Sequence, residues 1–381
     1  MNTYNQKDIA FKRGDGVYLW DINDKKYLDV TCGLAVTALG HSHPEINEVI
    51  YNQSKTLIHT TNAFIIEQQE KLAKRLCQLS GMDKAFFCNS GAEAIETSIK
   101  ISRKFGNDQK IFKPKIMVVS NSFHGRTTGA LTATGNMEAH QGFEPLLEGF
   151  VRVPYNDIKS INAKASKYNS IVAILIEPIQ GEGGIVIPDE NYLKEIREIC
   201  NNRNWLMMID EVQSGLCRTG KWFAFQHSSI LPDVITVAKA LGNGIPIGAC
   251  LARGSASEVL IPGSHGSTFG GNFLSTSVAL KVLDIMRDQA ICENAKEMGS
   301  YFQQKLIDKF NKHKSVKEIR CKGLMIGIEL IKDCSNLVEE ALKLGLVINV
   351  TKKKIIRLLP PLIIKKHHID EIIIKLETLL K

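Results

Sequence analysis

Residues 206–248 read LMMIDEVQSGLCRTGKWFAFQHSSILPDVITVAKALGNGIPIG, and this stretch decides the fold class. It holds two short apolar runs. Leu206 to Ile209 stops at Asp210-Glu211, and Asp233 to Ala238 stops at Lys239, which precedes a glycine-rich turn. Short apolar runs bounded by turn signals suit strands covered on both faces of a parallel sheet. In such α/β sheets, chemistry collects just outside the carboxyl ends of the strands. Either polar residue alone is an ordinary strand cap. Together, a carboxylate at one strand end and a lysine at another can serve a bound group that needs an acidic partner and an amine nucleophile.

The rest of the chain gives that pair a setting. At 381 residues it has room for two domains. Hydrophobic content of 44% and charged content of 23% are those of an ordinary globular protein. A net charge of +8 favours anionic small molecules. The lysines at 352–354 and 365–366 lack interleaved aromatics, so nucleic acid is not an expected partner. No apolar run reaches the roughly 18 residues needed to span a bilayer, and the polar N-terminus does not look like a signal peptide. Nine scattered cysteines without a CxxC pair fit free thiols in a reducing compartment, so a cytoplasmic protein is expected.

Working outward, residues 16–30 read as a hairpin turning at Asn23-Asp24, and helices are expected over 45–57 and 67–79. His41 and His43 have no further ligands nearby, so no metal is expected there. A strand at 85–88 runs through Asn89-Ser90-Gly91 into a helix from Ala92, which places N–H groups and a hydroxyl at a helix N-terminus, either an anion site or plain capping. After a strand at 115–120 comes Phe123-His124-Gly125-Arg126. An aromatic there can stack on a flat ring, and the arginine can grip a carboxylate bidentately. The strand 171–176 ends at Glu177-Pro178, and the following Gly181-Glu182-Gly183-Gly184 puts an acid on what reads as flexible backbone. Residues 265–272, HGSTFGGN, form a glycine-rich loop before a helix over about 274–287, with another helix over about 294–310. The tail reads as strands at 323–331, 346–350 and 355–359, with helices at 336–344 and from about 366. Arg357 lies among Ile355, Ile356, Leu358 and Leu359, and an arginine in so apolar a run needs an anionic partner.

The strings NSGAEA, SFHGRT, EPIQGEGG, IDEVQSG, TVAKALGNGIPIG, HGSTFGGN and IRLLPP, in this order from about residue 16 to 363, closely resemble the class III pyridoxal phosphate-dependent aminotransferases. The resemblance implies fold type I, an α/β architecture with a large domain built on a mostly parallel seven-stranded sheet and a smaller α+β domain. It places the small domain in residues 1–55 and 289–381 and the large, cofactor-binding domain in 56–288. It also implies a homodimer with shared active sites, acting on amino and keto acids with pyridoxal 5′-phosphate as cofactor.

Carried onto this chain, the resemblance makes Lys239 the covalent lysine and Asp210 the partner of the pyridine nitrogen. Gln213 would bind the phenolic oxygen, with Val212 on one ring face and Phe123 on the other. Ser90, Gly91 and Ala92 would hold the phosphate, while Thr268 and Ser267 would reach the neighbouring subunit's phosphate or substrate. Arg126 and Arg357 would bind substrate carboxylates, and Glu182 would pair with Arg357 until the keto acid arrives. Lys239 would also shuttle the proton, which requires its amine to be desolvated or placed near positive charge.

Within the class, the chain looks most like the enzymes that move the terminal amine of N-acetylornithine to 2-oxoglutarate in arginine biosynthesis. Succinylornithine, succinyl-diaminopimelate, ornithine and 4-aminobutyrate remain alternative donors. A non-catalytic relative of the fold is disfavoured by the intact Lys239, and the glycine spacing at 242–248 is wrong for a dinucleotide fingerprint. Four positions depart from the family pattern: Cys217 where glycine is usual, Thr37 for asparagine, and Gln68 and Phe273 for proline. Thr37 and residues 64–68 are expected at the substrate entrance.

Overall fold

The computed structural model describes residues 1–381. Its strands, in chain order, are β1 (Phe11–Asp15), β2 (Tyr18–Asp21), β3 (Lys26–Asp29), β4 (Lys84–Cys88), β5 (Lys115–Val119), β6 (Phe150–Val153), β7 (Ile171–Ile176) and β8 (Leu206–Asp210). Then follow β9 (Val234–Val237), β10 (Gly248–Ala252), β11 (Val316–Lys322), β12 (Met325–Leu330), β13 (Leu346–Val347), β14 (Asn349–Thr351) and β15 (Ile355–Leu358).

Seven of these form one sheet in the order β4-β10-β9-β8-β7-β5-β6. Pairing is parallel from β9 through to β6, whereas β10 runs antiparallel to both β4 and β9. Every residue of β7, β8, β9 and β10 is buried, as expected for a sheet covered on both faces. Because side chains alternate along a strand, each strand feeds two separate cores. Met207 and Ile209 join a cluster of 67 buried residues, while Leu206 and Met208 join one of 20 on the opposite face. The smaller core is closed by the helix Gly91–Asp108, through Ile95, Ile99 and Phe105. No helix is long and apolar enough to cross a membrane.

Two smaller sheets flank this one. In β1-β2-β3-β13, the C-terminal Leu346 pairs with Leu28 in parallel, so the two ends of the chain share a sheet. The other, β11-β12-β15-β14, carries Arg357 in its interior.

The expected hairpin forms as β2 and β3, and the helices at Pro44–Thr56, Glu67–Ser80 and Phe273–Asp288 lie within a residue or two of their expected positions. The tail differs more. Gly323, at φ +55°, turns the chain between β11 and β12, so the strand begins at Met325 and not at residue 323. The run 346–350 is broken at Ile348, because β13 and β14 serve different sheets. Strands β1, β6, β10 and β11 have no clear sequence signal; β1, β6 and β11 are edge segments of mixed polar and apolar residues.

The cysteines correct one expectation. Cys217 and Cys292, 75 residues apart, form a disulfide, and the other seven are free. Sequence spacing carried no hint of it, since the partners meet only when the loop after β8 packs on the start of the helix Ile291–Phe310. Cys217 has φ +67°, a left-handed backbone that glycine adopts without cost. That conformation accounts for the usual glycine here.

Candidate active site

Because β4, β5, β7, β8 and β9 all run the same way, their carboxyl ends converge on one edge of the sheet. There they line a cavity of about 410 Å³, within the usual range for small-molecule sites. Of the residues expected from sequence, Ser90, Gly91, Ala92, Phe123, Arg126, Glu182, Asp210, Val212, Gln213 and Lys239 all face it. Arg357 stands behind Glu182, whereas Ser267 and Thr268 form no part of the wall within this chain. Ser267 is nonetheless joined to the site's edge, its Oγ accepting from Asn89 Nδ2 at 3.2 Å, while Thr268 is exposed. The entrance also differs from expectation. Val36 lines the cavity in place of Thr37, and residues 64–68 do not reach it, Phe64 and Ile65 projecting into solvent.

Asp210 ends β8 and is buried. Its Oδ2 accepts from His124 Nδ1 at 2.8 Å, and its Oδ1 accepts from Val212 N at 3.0 Å and from Thr236 Oγ1 at 3.3 Å. The carboxylate is therefore held in one orientation. His124 lies within SFHGRT but carried no expected role; its signal is a histidine following a buried strand, and only the fold shows which carboxylate it meets. Its Nε2 is buried without a partner.

Lys239 follows β9 with φ +46° and is half-buried on the cavity wall. Burial, and then the nearby Arg357 guanidinium, pull its amine down to about 8. These are the two causes the proton-shuttle role requires. Phe123 lies across the cavity, with the Arg126 guanidinium 5.7 Å from its ring centroid. Arg126 is exposed at the mouth and makes no ion pair within the chain. At the opposite wall, Ser90 caps the helix by accepting from Glu93 N at 3.2 Å.

Glu177 is a further residue that the sequence did not single out, although an acid ending six buried residues before a proline is the available signal. Its Oε1 accepts from Phe123 N and its Oε2 from Gly181 N, each at 2.9 Å, so one carboxylate joins the aromatic loop to the GEGG loop. Burial raises it to about 7, offset in part by the neighbouring His124.

The GEGG loop is not the flexible segment expected. Besides Glu177, it is tied by the Gln180–Val186 bridge, by Thr351 Oγ1 donating to Glu182 O at 2.6 Å, and by Arg320 Nε and Nη2 donating to Gly184 O at 3.2 and 2.9 Å. The Glu182 side chain is 39% exposed and is held only by a long 3.4 Å contact from Thr351 Oγ1 to its Oε1 and by Arg357. Its Oε2 lies 2.9 Å from Arg357 Nη1, yet the contact is off-line and leaves that nitrogen without a directed hydrogen bond.

Comparison with known proteins agrees with this geometry. The family model "Aminotransferase class-III" matches residues 2–380. An acetylornithine aminotransferase of Nitrosomonas europaea is 50% identical over 380 residues, covering all of this chain and 97% of that protein. The crystal structure of an acetylornithine aminotransferase from Elizabethkingia anophelis superposes with a TM-score of 0.89 at 35% identity, covering 100% of this chain and 95% of that one. An ornithine aminotransferase from Toxoplasma gondii, described with partial occupancy of PLP at its active site, superposes with a TM-score of 0.94 at 31% identity, covering 99% of this chain and 91% of that one. With a full-length family match, half its residues shared with such a relative, and strand ends converging on a cavity-lining lysine and a buried carboxylate, the chain belongs to the class III aminotransferase family.

Proposed function

We propose that the chain is a pyridoxal phosphate-dependent aminotransferase that moves the terminal amine of N-acetylornithine to 2-oxoglutarate. The products are N-acetylglutamate 5-semialdehyde and glutamate, a step of arginine biosynthesis carried out in the cytoplasm by a homodimer with shared sites. The division into residues 1–55, 56–288 and 289–381 belongs to the same reading.

The residues present fit the cofactor. Gln213 makes no hydrogen bond through its side chain, and its Oε1 is buried. Gly91 leaves a cradle that a Cβ would fill, since that atom would stand 2.8 Å from Val212 Cγ1. Asp210 would meet the ring nitrogen, Gln213 the phenolic oxygen, and Ser90 to Ala92 the phosphate at a helix N-terminus. Phe123 and Val212 would take the two ring faces, Lys239 Nζ the covalent bond, and Thr268 and Ser267 the neighbouring subunit's site. When bound, the cofactor supplies a ring that withdraws electrons from the substrate carbon.

This chain's residues do the rest. His124 holds the Asp210 carboxylate in one orientation, in which it would meet the ring nitrogen. With its amine near 8, Lys239 has a useful neutral fraction at physiological pH and can take and return a proton through Nζ. Arg126 and Arg357 bind carboxylates. The observation that carries the reading is the Glu182–Arg357 pair. While Glu182 neutralises Arg357, the site suits a donor that presents a terminal amine. Once Glu182 turns away, Arg357 is open to the α-carboxylate of 2-oxoglutarate or glutamate.

The test is a visible spectrum of the purified holoenzyme with donors added singly. N-acetylornithine should discharge the cofactor absorbance faster than ornithine or 4-aminobutyrate. A protein that binds no pyridoxal phosphate would defeat the reading at its root, and faster discharge by ornithine would reassign the donor.

A further inference from the structure

Arg357 and Glu182 are both held by one short strand. Asn349 and Thr351 lie two residues apart on β14 and so point to the same face. Asn349 is the direct cross-strand partner of Arg357, and its Oδ1 accepts from both Nε at 3.0 Å and Nη2 at 2.8 Å. Thr351 secures the Glu182 backbone from the same strand. On the other side of Arg357, its β12 partner is Gly327, where a Cβ would come within 3.0 Å of Gly184 O, so the glycine lets the GEGG backbone lie against the sheet.

From this arrangement we infer that Asn349 is a positioning residue that fixes the face Arg357 presents and keeps its charge unspent, so that donor and acceptor are exchanged by rotation of the Glu182 side chain alone. The inference rests on the proposed Glu182–Arg357 exchange and deepens it. The physical reason is the neutrality of the amide. An arginine 1% exposed needs an acceptor to stay ordered, but a carboxylate at residue 349 would satisfy its charge permanently. Asn349 occupies the Nε–Nη2 edge without neutralising it, which leaves the end carrying Nη1 for an anion. Glu182 takes that end through an off-line contact that a substrate carboxylate can replace with a directed one. With the loop backbone pinned by Thr351, Arg320 and Glu177, no loop opening is required.

The isosteric change Asn349→Asp tests this in the holoenzyme, with the two half-reactions followed separately by single-turnover absorbance. The Asn349→Asp enzyme should react with N-acetylornithine within a few-fold of the unaltered one. Its KM for 2-oxoglutarate should rise about 10-fold or more with kcat little changed, the scale set by weakening one charge-assisted contact. A merely structural defect would depress both half-reactions together. Glu182→Ala should speed discharge by glutamate relative to N-acetylornithine, and adding Asn349→Asp to it should reverse that gain. If Asn349→Asp leaves the 2-oxoglutarate KM unchanged, or slows both half-reactions equally, the role of Asn349 is overturned. If Glu182→Ala leaves the donor ratio unchanged while Asn349→Asp still raises that KM, the exchange by Glu182 falls and the positioning of Arg357 stands.

Discussion

Replacing Gly91 with alanine would set helix propensity against the wall of the cofactor site. Gly91 opens the helix Gly91–Asp108 with an ordinary φ, so its backbone tolerates alanine, which on propensity alone would favour the helix by up to about 1 kcal/mol. The added Cβ, however, would stand 2.8 Å from Val212 Cγ1 and 3.0 Å from Cγ2. Val212 is β-branched and stiff, and its backbone nitrogen is tied to Asp210 Oδ1 at 3.0 Å. Val212 lines the cavity, so yielding would push it into the space the ring would take. Overpacking of this kind costs about 1–3 kcal/mol, and the cost falls on the cofactor-bound form, so the Kd for pyridoxal phosphate should rise about 5- to 150-fold. The Tm of the cofactor-free protein should hardly move. Titrating cofactor-free protein with pyridoxal phosphate, by absorbance or quenching of tryptophan fluorescence, reads the Kd. Adding Val212→Ala should recover most of the loss by removing the clashing methyls. Unchanged affinity in Gly91→Ala, or no recovery in the double variant, would refute the packing argument.

Two further outcomes are expected. Lys239 binds its proton less tightly in the folded chain, at about 8 against an ordinary 10.5, so between those values the folded state gains stability as pH rises, and below about 8 the charged amine is a cost. Capture of pyridoxal phosphate by cofactor-free protein should therefore level off near pH 8, and a rate still climbing steeply through pH 9 would contradict the desolvated, arginine-flanked setting. The Cys217–Cys292 bridge closes a loop with a sequence separation of 75 residues, and reducing it should release up to about 4 kcal/mol of chain-entropy stabilisation, a fall of roughly 5 °C in Tm. Equal Tm with and without reductant, or nine titratable thiols in protein purified without reductant, would remove the bridge from the account.

Three of the buried strands were legible because they are continuous apolar runs that stop at a polar residue, whereas β10, equally buried, follows the glycine-rich turn without a break in composition. Thus β7, β8 and β9, the helix after Ser90, and Lys239 and Asp210 as a pair could be placed from residues alone. Strands such as β6 and β11 were not, because an edge strand of mixed polarity has no period that separates it from a loop. The glycines at 181, 183 and 184 suggested a flexible loop, since glycine frees the backbone. What restrains that loop comes from residues 320 and 351, far along the chain, and from Glu177 turning back on it.

From its residues alone, the chain determined an α/β fold and a carboxylate at one strand end with a lysine at another, because a strand buried on both faces must shed its charges at its tips. Only the tertiary structure decided what those groups touch. His124 on Asp210, Asn349 on Arg357, Glu177 between two loops and Cys217 on Cys292 join positions 86, 8, 54 and 75 residues apart. Directed contacts of this kind are made by single side chains, leave no periodic trace, and exist only once the sheets have set the distances.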